Sequence, residues 1–278
     1  MADPTLMDVV RKVESRIRRL RPLDDFEELV EVVLASYRDC LRSWPWGFAL
    51  QRYRTRLLRP NAVTVELTQG SRSLVVHSSS DPIDWSLWPL LSIPGRRPLY
   101  TDGGGNLVDP WIGESDTYQG KLIYSVIPLF DTQVWGLAVT NVGPLAKMSF
   151  QMLETLSPNR DKVGRPRAFV PYTPYVEIYP GPDSDYDVDV WITPLPDFKF
   201  NPNAEIAAPL LDAVVYKACA HLLAQSNPQL VRYYDEMYQR EMTKIRSIDS
   251  ATFSWPEFHL VYEAGTGRSL SWEIVVPP

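Results

Sequence analysis

The sequence predicts an α+β fold in which terminal helices from both ends of the chain pack as a helical bundle, with an antiparallel β-domain inserted between them. Three observations predict it. In residues 1–51 and 203–248, apolar side chains recur every three or four positions, as in amphipathic helices. In residues 52–202, short alternating runs are separated by Pro, Gly and Asp, as in strands and turns. Residues 249–278 alternate again, which predicts a C-terminal β-hairpin or extended arm.

Four amphipathic helices are expected near the two ends, at residues 6–20, 25–44, 206–222 and 229–246. The second begins at Asp25, because Glu28 three residues later completes the order of a capping box. It ends near the Ser-Trp-Pro-Trp sequence at 43–46. Each helix has one apolar face, so the four are expected to cover one another.

The middle of the chain is expected to be rich in strands, with a short helix at about 145–156. Strand candidates lie at 63–67, 74–76, 121–128, 133–140, 164–170, 175–179 and 186–193. The first two surround a Gln-Gly turn at 69–70 and predict a β-hairpin. Residues 80–120 hold three Trp and five Pro with little periodicity, so an irregular excursion on the surface is expected there.

The composition argues against several classes of protein. The chain has 28 Lys and Arg against 34 Asp and Glu, and this net charge of -6 argues against simple wrapping of a nucleic-acid backbone. No apolar run approaches the roughly 18 residues of a membrane span, and the N-terminus lacks the pattern of a leader. The two cysteines, Cys40 and Cys219, form no metal-binding or disulfide pattern. We therefore expect synthesis in a reducing cytoplasm and no membrane contact.

Motifs that would carry chemistry are incomplete. Gly120 and Lys121 resemble the end of a phosphate-binding loop, but Leu122 stands where Ser or Thr would hold magnesium. The alternating aspartates at 183–189 lack the Gly and the Glu of a calcium loop. The three histidines lie in three different predicted elements, without other ligands nearby in the sequence. No catalytic, metal or cofactor site is expected, and an enzyme whose acid and base meet only on folding is a residual hypothesis.

An arginine series marks the start of the β-rich region. Arg52, Arg54 and Arg56 alternate and would share one face of a strand, and Arg59 follows them. A row of guanidinium groups suits phosphates or an acidic partner surface, and a solvated strand face is the alternative. The helix at 229–246 presents a similar choice, because its Tyr and Met side chains suit either a core or a large subunit contact.

Several short motifs also follow one another in a distinctive order. A helix ending in Ser-Trp-Pro-Trp precedes a β-hairpin, and the later motifs are Gly-Arg-Pro-Arg at 164–167, Val-Glu-Ile-Tyr-Pro-Gly-Pro-Asp at 176–183, Tyr-Asp-Val-Asp-Val-Trp at 186–191, and a helix pair at 210–223 and 229–246. Over residues 26–246 this order resembles the head-to-tail connector (adaptor) proteins of tailed bacteriophages, the group similar to tail tubular protein A of short-tailed phages. Residues 85–120 and the arm after 250 depart from the pattern of that family.

The resemblance implies a structural virion protein and no enzyme. Such adaptors form a ring, commonly of twelve subunits, below the portal, where they join the DNA-filled capsid to the tail and form part of the DNA channel. The implied partners are other copies of the chain, the portal protein, a downstream tail or nozzle protein, and double-stranded DNA that passes without sequence recognition. The implied location is the head-to-tail junction of the virion, with the helical region towards the portal.

A ring subunit must bury different faces against its two neighbours, and aromatic side chains are enriched in such contacts. The arm has too little sequence for a core of its own, so we expect its aromatic residues to anchor it on a partner. The residues expected to contact the portal or a neighbouring subunit are Phe253, Trp255, Phe258, Tyr262, Trp272, Tyr234 and Tyr238.

A carbohydrate- or peptide-binding β-module is the alternative function from another class. Four tryptophans in the β-rich region, Trp85, Trp88, Trp111 and Trp135, would stack on sugars if their rings were exposed. The two hypotheses differ in a simple observable. A species of dodecamer size favours the connector, whereas a monomer that is retained on immobilised sugar favours the binding module.

Overall fold

A computed structural model describes residues 4–18, 26–87, 89–124, 132–172, 175–196, 201–224, 226–252, 257–261 and 271–275 of the chain. The described helices are α1 (Leu6–Ile17), α2 (Phe26–Arg42), α3 (Phe150–Leu156), α4 (Leu211–Leu223) and α5 (Pro228–Thr252). Helix α1 begins with a capping box in which the side chain of Thr5 accepts from the backbone N–H of Asp8. In the described part of the chain, no helix is both long and apolar enough to cross a membrane.

Helices α1, α2, α4 and α5 share one hydrophobic core. Val13, Val33 and Val214 are fully buried in it, one from each of the first three of these helices, and Met242 of α5 is 1% exposed. These residues belong to the apolar stripes of the sequence, so the contact among the four helices follows from their amphipathicity. The structure confirms that helices form at the four expected places, although α4 begins only at Leu211.

The described strands are β1 (Gln51–Leu57), β2 (Asn61–Leu67), β3 (Leu74–Ser79), β4 (Leu90–Ser92), β5 (Leu99–Tyr100), β6 (Asp116–Ile123), β7 (Thr132–Val139), β8 (Gly143–Lys147), β9 (Val163–Gly164), β10 (Ala168–Tyr172), β11 (Tyr175–Tyr179), β12 (Gly181–Pro182), β13 (Tyr186–Pro194), β14 (Glu257–Val261) and β15 (Ser271–Val275). A six-stranded sheet has the order β1-β13-β7-β8-β10-β11, and a five-stranded sheet has the order β3-β2-β6-β4-β5. The expected hairpin is formed by β2 and β3, which are antiparallel.

The predicted fold class is wrong. The structure is a mixed α/β fold in which strands outnumber helices, and it is not a helical bundle carrying one inserted antiparallel domain. The six-stranded sheet curls around its own core, which includes Leu137 and Val190, and the five-stranded sheet has a separate core. The larger sheet is also not purely antiparallel. Strands β8 and β10 are parallel, because α3 connects them as a crossover and packs Leu153 against Ala168.

Residues 80–120 do not form the expected surface excursion. They contribute β4, β5 and part of β6 to the five-stranded sheet. They also cover its inner face, where Leu91, Leu107 and Trp111 are 0%, 2% and 4% exposed. These buried side chains come from very short strands and from loop segments that lie across the sheet. Neither a period of two nor a period of 3.6 residues therefore marks them in the sequence.

The C-terminal region contains β14 and β15, which pair antiparallel with Phe258 opposite Ile274 and Leu260 opposite Trp272. The backbone of β14 approaches that of β8 in the six-stranded sheet. This hairpin therefore lies beside a sheet of its own chain.

Candidate functional site

The arginine series begins on β1, which is the outermost strand of the six-stranded sheet among the described residues. The antiparallel register with β13 places Arg52 opposite Trp191, and it places Arg54 opposite Asp189. Arg56 follows on the same strand face, as its alternation with the other two predicts. The side chains of these three arginines are 57%, 69% and 68% exposed. They form one solvent-facing row at the edge of the sheet.

Two of these arginines bind the same carboxylate. The Nη2 atom of Arg52 donates to Oδ2 of Asp189, and Nε of Arg54 donates to Oδ1 of Asp189 at 3.0 Å. The hydrogen bonds from Arg52 and then Arg54 lower the pKa of Asp189 to about 2. The guanidinium of Arg52 also lies 5.8 Å from the centre of the Trp191 ring. Charge-assisted hydrogen bonds thus hold the first half of β1 to β13.

The other two arginines also have acidic partners. Nη2 of Arg56 lies 3.6 Å from Oδ2 of Asp185, and Nη2 of Arg59 lies 3.2 Å from Oδ2 of Asp81. The backbone N–H of Arg59 donates to Asp185 as well. Each of the four arginines therefore faces a carboxylate of this chain. A phosphate or an acidic partner has to compete with these carboxylates, which weakens the attraction that the series exerts.

The aspartates that pair with the arginines also alternate in the sequence. Asp187 and Asp189 lie on one face of β13 and Asp185 lies just before that strand, as alternation of Arg places 52, 54 and 56 on one face of β1. Two alternating rows of opposite charge are a signal for antiparallel pairing, since opposite charges directly across two strands stabilise the pair. This signal does not by itself make two distant strands neighbours.

The two tyrosines expected at a partner contact lie in the helical core. Tyr234 is 8% exposed, and its ring contacts those of Tyr216 and Tyr233. Tyr238 is partly buried, and Nζ of Lys217 lies 5.2 Å from the centre of its ring. Burial raises the pKa of Tyr238 to about 12. This helix face was expected to form either a core or a subunit contact, and Tyr234 and Tyr238 pack in the core of their own chain.

Three of the five aromatic residues of the arm, Phe253, Trp255 and Tyr262, lie outside the described part of the chain. Phe258 and Trp272 are on β14 and β15, where their backbone pairing is described. The expected contact of these five residues with the portal or a neighbouring subunit stays a prediction.

The Ser-Trp-Pro-Trp turn joins the helical core to β1. Trp46 is fully buried, and its Nε1 atom donates to the carbonyl of Cys40 at 2.8 Å. The Nε1 atom of Trp44 donates to Oδ2 of Asp249 at 2.9 Å, and the backbone N–H of Gly47 donates to Oδ1 of Asp249 at 3.0 Å. Asp249, near the end of α5, therefore fixes the turn. No local pattern in the sequence marks Asp249, because the groups that it binds are distant along the chain.

A buried ion-pair cluster was also missed. Arg160 and Glu177 have side chains that are 5% and 9% exposed, and Nε of Arg160 donates to Oε2 of Glu177. Arg160 also donates to Glu154, and the hydroxyl of Tyr100 donates to Oε1 of Glu177 at 3.0 Å. Burial lowers the pKa of Arg160, but hydrogen bonds and charges from Glu177 and Glu154 more than offset this, so its pKa is raised. Because Tyr100 is on β5 and Glu177 is on β11, the cluster connects the two sheets.

The four tryptophans of the carbohydrate hypothesis do not form one exposed surface in the described residues. Trp111 is 4% exposed, and Trp85 packs against the same core of the five-stranded sheet. Trp135 uses its Nε1 atom to donate to Oγ1 of Thr193 at 2.9 Å. Trp88 lies outside the described residues. Because it is buried, Trp111 does not meet the condition of exposure that stacking on sugars requires.

Within the described ranges, no group of three or more His, Cys, Asp or Glu side chains is arranged to hold a metal ion. The thiols of Cys40 and Cys219 are fully buried, and this burial raises their pKa to about 12 and about 11. A thiol with so high a pKa is almost entirely protonated at neutral pH and is a poor nucleophile. Nε2 of His77 lies 2.9 Å from Oε2 of Glu66, and both side chains are about half exposed.

Comparison with known proteins gives no assignment: no protein-family model matches the chain, and no curated protein matches it. The resemblance to phage connectors rests on the order of short motifs alone. Function therefore has to be argued from the residues and their arrangement.

Proposed function

We propose that this chain is the subunit of a head-to-tail adaptor ring in the virion of a tailed bacteriophage, between the portal and a tail or nozzle protein. The observation that carries the proposal is the order of motifs along the chain, beginning with Ser-Trp-Pro-Trp at 43–46. In the structure this turn is fastened to Asp249 and leads into β1. The turn connects the helices to the six-stranded sheet, and this role explains why Trp and Pro occur together at this position.

The later motifs supply strands that organise the same sheet, which further supports the proposal. Residues 176–183 form most of β11 in this sheet and also β12, which pairs with β9 in a separate two-stranded sheet. Residues 186–191 form most of β13. Val188 and Val190 of β13 are each 1% exposed, and they face the core that the sheet encloses. These motifs therefore form strands of the fold, and those of β13 contribute to the hydrophobic core.

A ring also requires two different contact surfaces on each subunit, because head-to-tail contacts are heterologous. Exposed apolar residues occur on separate elements: Tyr53 on β1 is 50% exposed, and Ile112, in the loop before β6, is 90% exposed. A subunit contact that covered these groups would remove their apolar surface from water, which would favour assembly.

The charge of the chain suits a passage for DNA. Residues 61–278 carry 16 basic and 25 acidic residues. The basic excess of the first 60 residues includes the arginine series, whose members face carboxylates of the same chain. A net negative lining repels phosphates, so DNA passes without being held.

Electron microscopy of the purified chain, alone and mixed with the portal of the same phage, tests the proposal. We expect closed rings in at least the mixture, with the portal by itself as the control. A chain that stays monomeric in both samples contradicts the proposal. Retention of that monomer on immobilised carbohydrate would favour the binding module instead.

A further inference from the structure

The most exposed large apolar side chain in the described residues belongs to Ile112, which is 90% exposed. It lies in the loop at residues 108–115, called here the tip loop, which follows the buried Leu107 and precedes β6. The neighbouring Val108 is 40% exposed. A branched apolar side chain in this position gains nothing in the isolated subunit, since almost all of its surface stays in water.

The tip loop is held in place by backbone hydrogen bonds. The N–H of Gly70 donates to the carbonyl of Trp111 at 2.7 Å, and the N–H of Trp111 donates to Ser71 at 2.8 Å. The Trp111 ring is buried beneath the loop, and the guanidinium of Arg96 lies 5.1 Å from the ring centre. Ile112 is therefore presented from a loop that is already ordered, so docking it costs little conformational entropy.

A groove lies on the outer face of the same five-stranded sheet, where the sheet meets the segment after α3. Its volume is about 510 Å³, within the range of sites that bind ligands. The cross-strand register places Ser78, Thr64 and Gln119 side by side across three strands. Pro94 and Asp161 also line the groove. We call it the sheet groove.

The sheet groove contains polar groups that are not used within the subunit. In the part of the chain that the structure describes, the side chains of Thr64, Ser78, Gln119 and Lys121 make no hydrogen bond or ion pair. Lys121 is exposed and belongs to the next row of the sheet, opposite Ala62. The groove thus offers one unpaired cation and a floor of hydroxyl and amide groups.

The tip loop carries the complementary charge. Asp109 and Glu114 flank Ile112, and both are exposed. Their carboxylates likewise form no ion pair with any residue that the structure describes. A second pair has the reverse arrangement of charge: the cation Arg96 lies beside the tip loop, and the carboxylate of Asp161 lines the groove. Each surface therefore carries both signs of charge, and Lys121 and Asp161 of the groove each have a counterpart of opposite sign at the tip loop.

The tip loop does not occupy the sheet groove of its own subunit, because Ile112 is 90% exposed. Resting on the proposed ring, we infer that the tip loop of one copy docks in the sheet groove of the next copy, with Ile112 as the apolar anchor and Lys121 pairing with Glu114. A loop of one copy in a groove of the next is a heterologous contact, and such contacts generate a ring when the rotation between copies closes.

Single substitutions test this docking through the size of the assembly, measured by sedimentation velocity and electron microscopy. Ile112→Asp is expected to weaken self-association at least tenfold, because it places a charge in the contact. Ile248→Ser, at another exposed apolar position, is the matched control and is expected to assemble like the wild type. Both positions are largely exposed, so thermal unfolding of the two monomers should be unchanged.

A charge exchange tests the partner directly. Lys121→Glu alone and Glu114→Lys alone are each expected to weaken assembly, and a chain carrying both is expected to recover it, because every contact then contains one of each. Rings that form normally in the Ile112→Asp variant overturn the docking but leave the ring function intact. Failure of the double variant to recover also overturns it, and a wild type that never assembles overturns both proposals.

Discussion

Replacement of Glu177 by Gln is expected to lower the free energy of unfolding by about 3 kcal/mol, the lower end of the range for breaking a buried ion pair. The carboxylate of Glu177 accepts from Nε of Arg160 and from the hydroxyl of Tyr100. The guanidinium of Arg160 stays charged, and its side chain is only 5% exposed. Glu177→Gln therefore leaves a buried cation without one of its two acidic partners.

The expected loss lies at the lower end of that range because Arg160 keeps other acceptors. Its Nη2 atom still donates to Glu154, which is 37% exposed, and its Nη1 atom donates to the carbonyl of Ser157 at 2.8 Å. Simultaneous replacement by apolar residues, Arg160→Met with Glu177→Leu, removes both charges. This double variant should be more stable than Glu177→Gln, since the cost is dominated by the charge left unpaired.

Urea denaturation followed by tryptophan fluorescence measures the effect. With a slope of about 3 kcal/mol/M, a loss of about 3 kcal/mol moves the midpoint by about 1 M. Glu236→Gln is the matched control, because Glu236 pairs with Arg232 on α5 with both side chains largely exposed, and it should cost about 0.3–0.5 kcal/mol. If Glu177→Gln costs no more than this control, the reasoning from burial is wrong.

Three further predictions concern other parts of the structure. Asp249→Asn should cost about 1–3 kcal/mol in urea denaturation, because Trp44 and Gly47 donate to different oxygens of Asp249 and the amide replaces one of these acceptors with an NH2 donor. The pKa of Asp189 in the folded chain is lowered to about 2, so its contribution to stability is present above pH 4 and is lost as the pH falls towards 2. Asp189→Asn should therefore reduce the loss of stability between pH 4 and pH 2. An unchanged acid-unfolding curve would contradict the pairing. Cys40 and Cys219 should react with a thiol reagent at pH 8 only after denaturant is added; rapid labelling of the native chain would show that they are accessible.

The helices could be predicted from the sequence, because apolar residues that recur every three or four positions mark an amphipathic helix without reference to the rest of the chain. The C-terminal end of α5 shows the limit of that reasoning. Helix α5 continues six residues past the predicted end at 246, to Thr252, and Asp249 in this extension binds Trp44 and Gly47. The last turns of α5 contact residues from the other end of the chain, and no local sequence pattern indicates these contacts.

The sheets could be predicted only in part, because alternation marks a strand but not its neighbour. Most strand positions after 120 were expected, yet the separation into two sheets was not. Glu177 illustrates the reason. It lies on β11 between the buried residues Val176 and Ile178, where alternation predicts an outward-facing charge, and it is 8% exposed because Arg160 and Tyr100 cover it. Burial of that carboxylate depends on a loop and on a second sheet.

The arrangement of charge distinguishes surfaces that a partner can use from those that are already satisfied. The arginine series is a conspicuous basic run of the sequence, but its carboxylate partners are in place, so an acidic partner has to displace one of them. Lys121 in the sheet groove and Glu114 on the tip loop have no ion pair within the described chain. A contact between unpaired exposed charges gives up only hydration, whereas a contact at β1 also gives up existing hydrogen bonds. Lys121 and Glu114 are therefore better suited to a subunit contact than the arginine series.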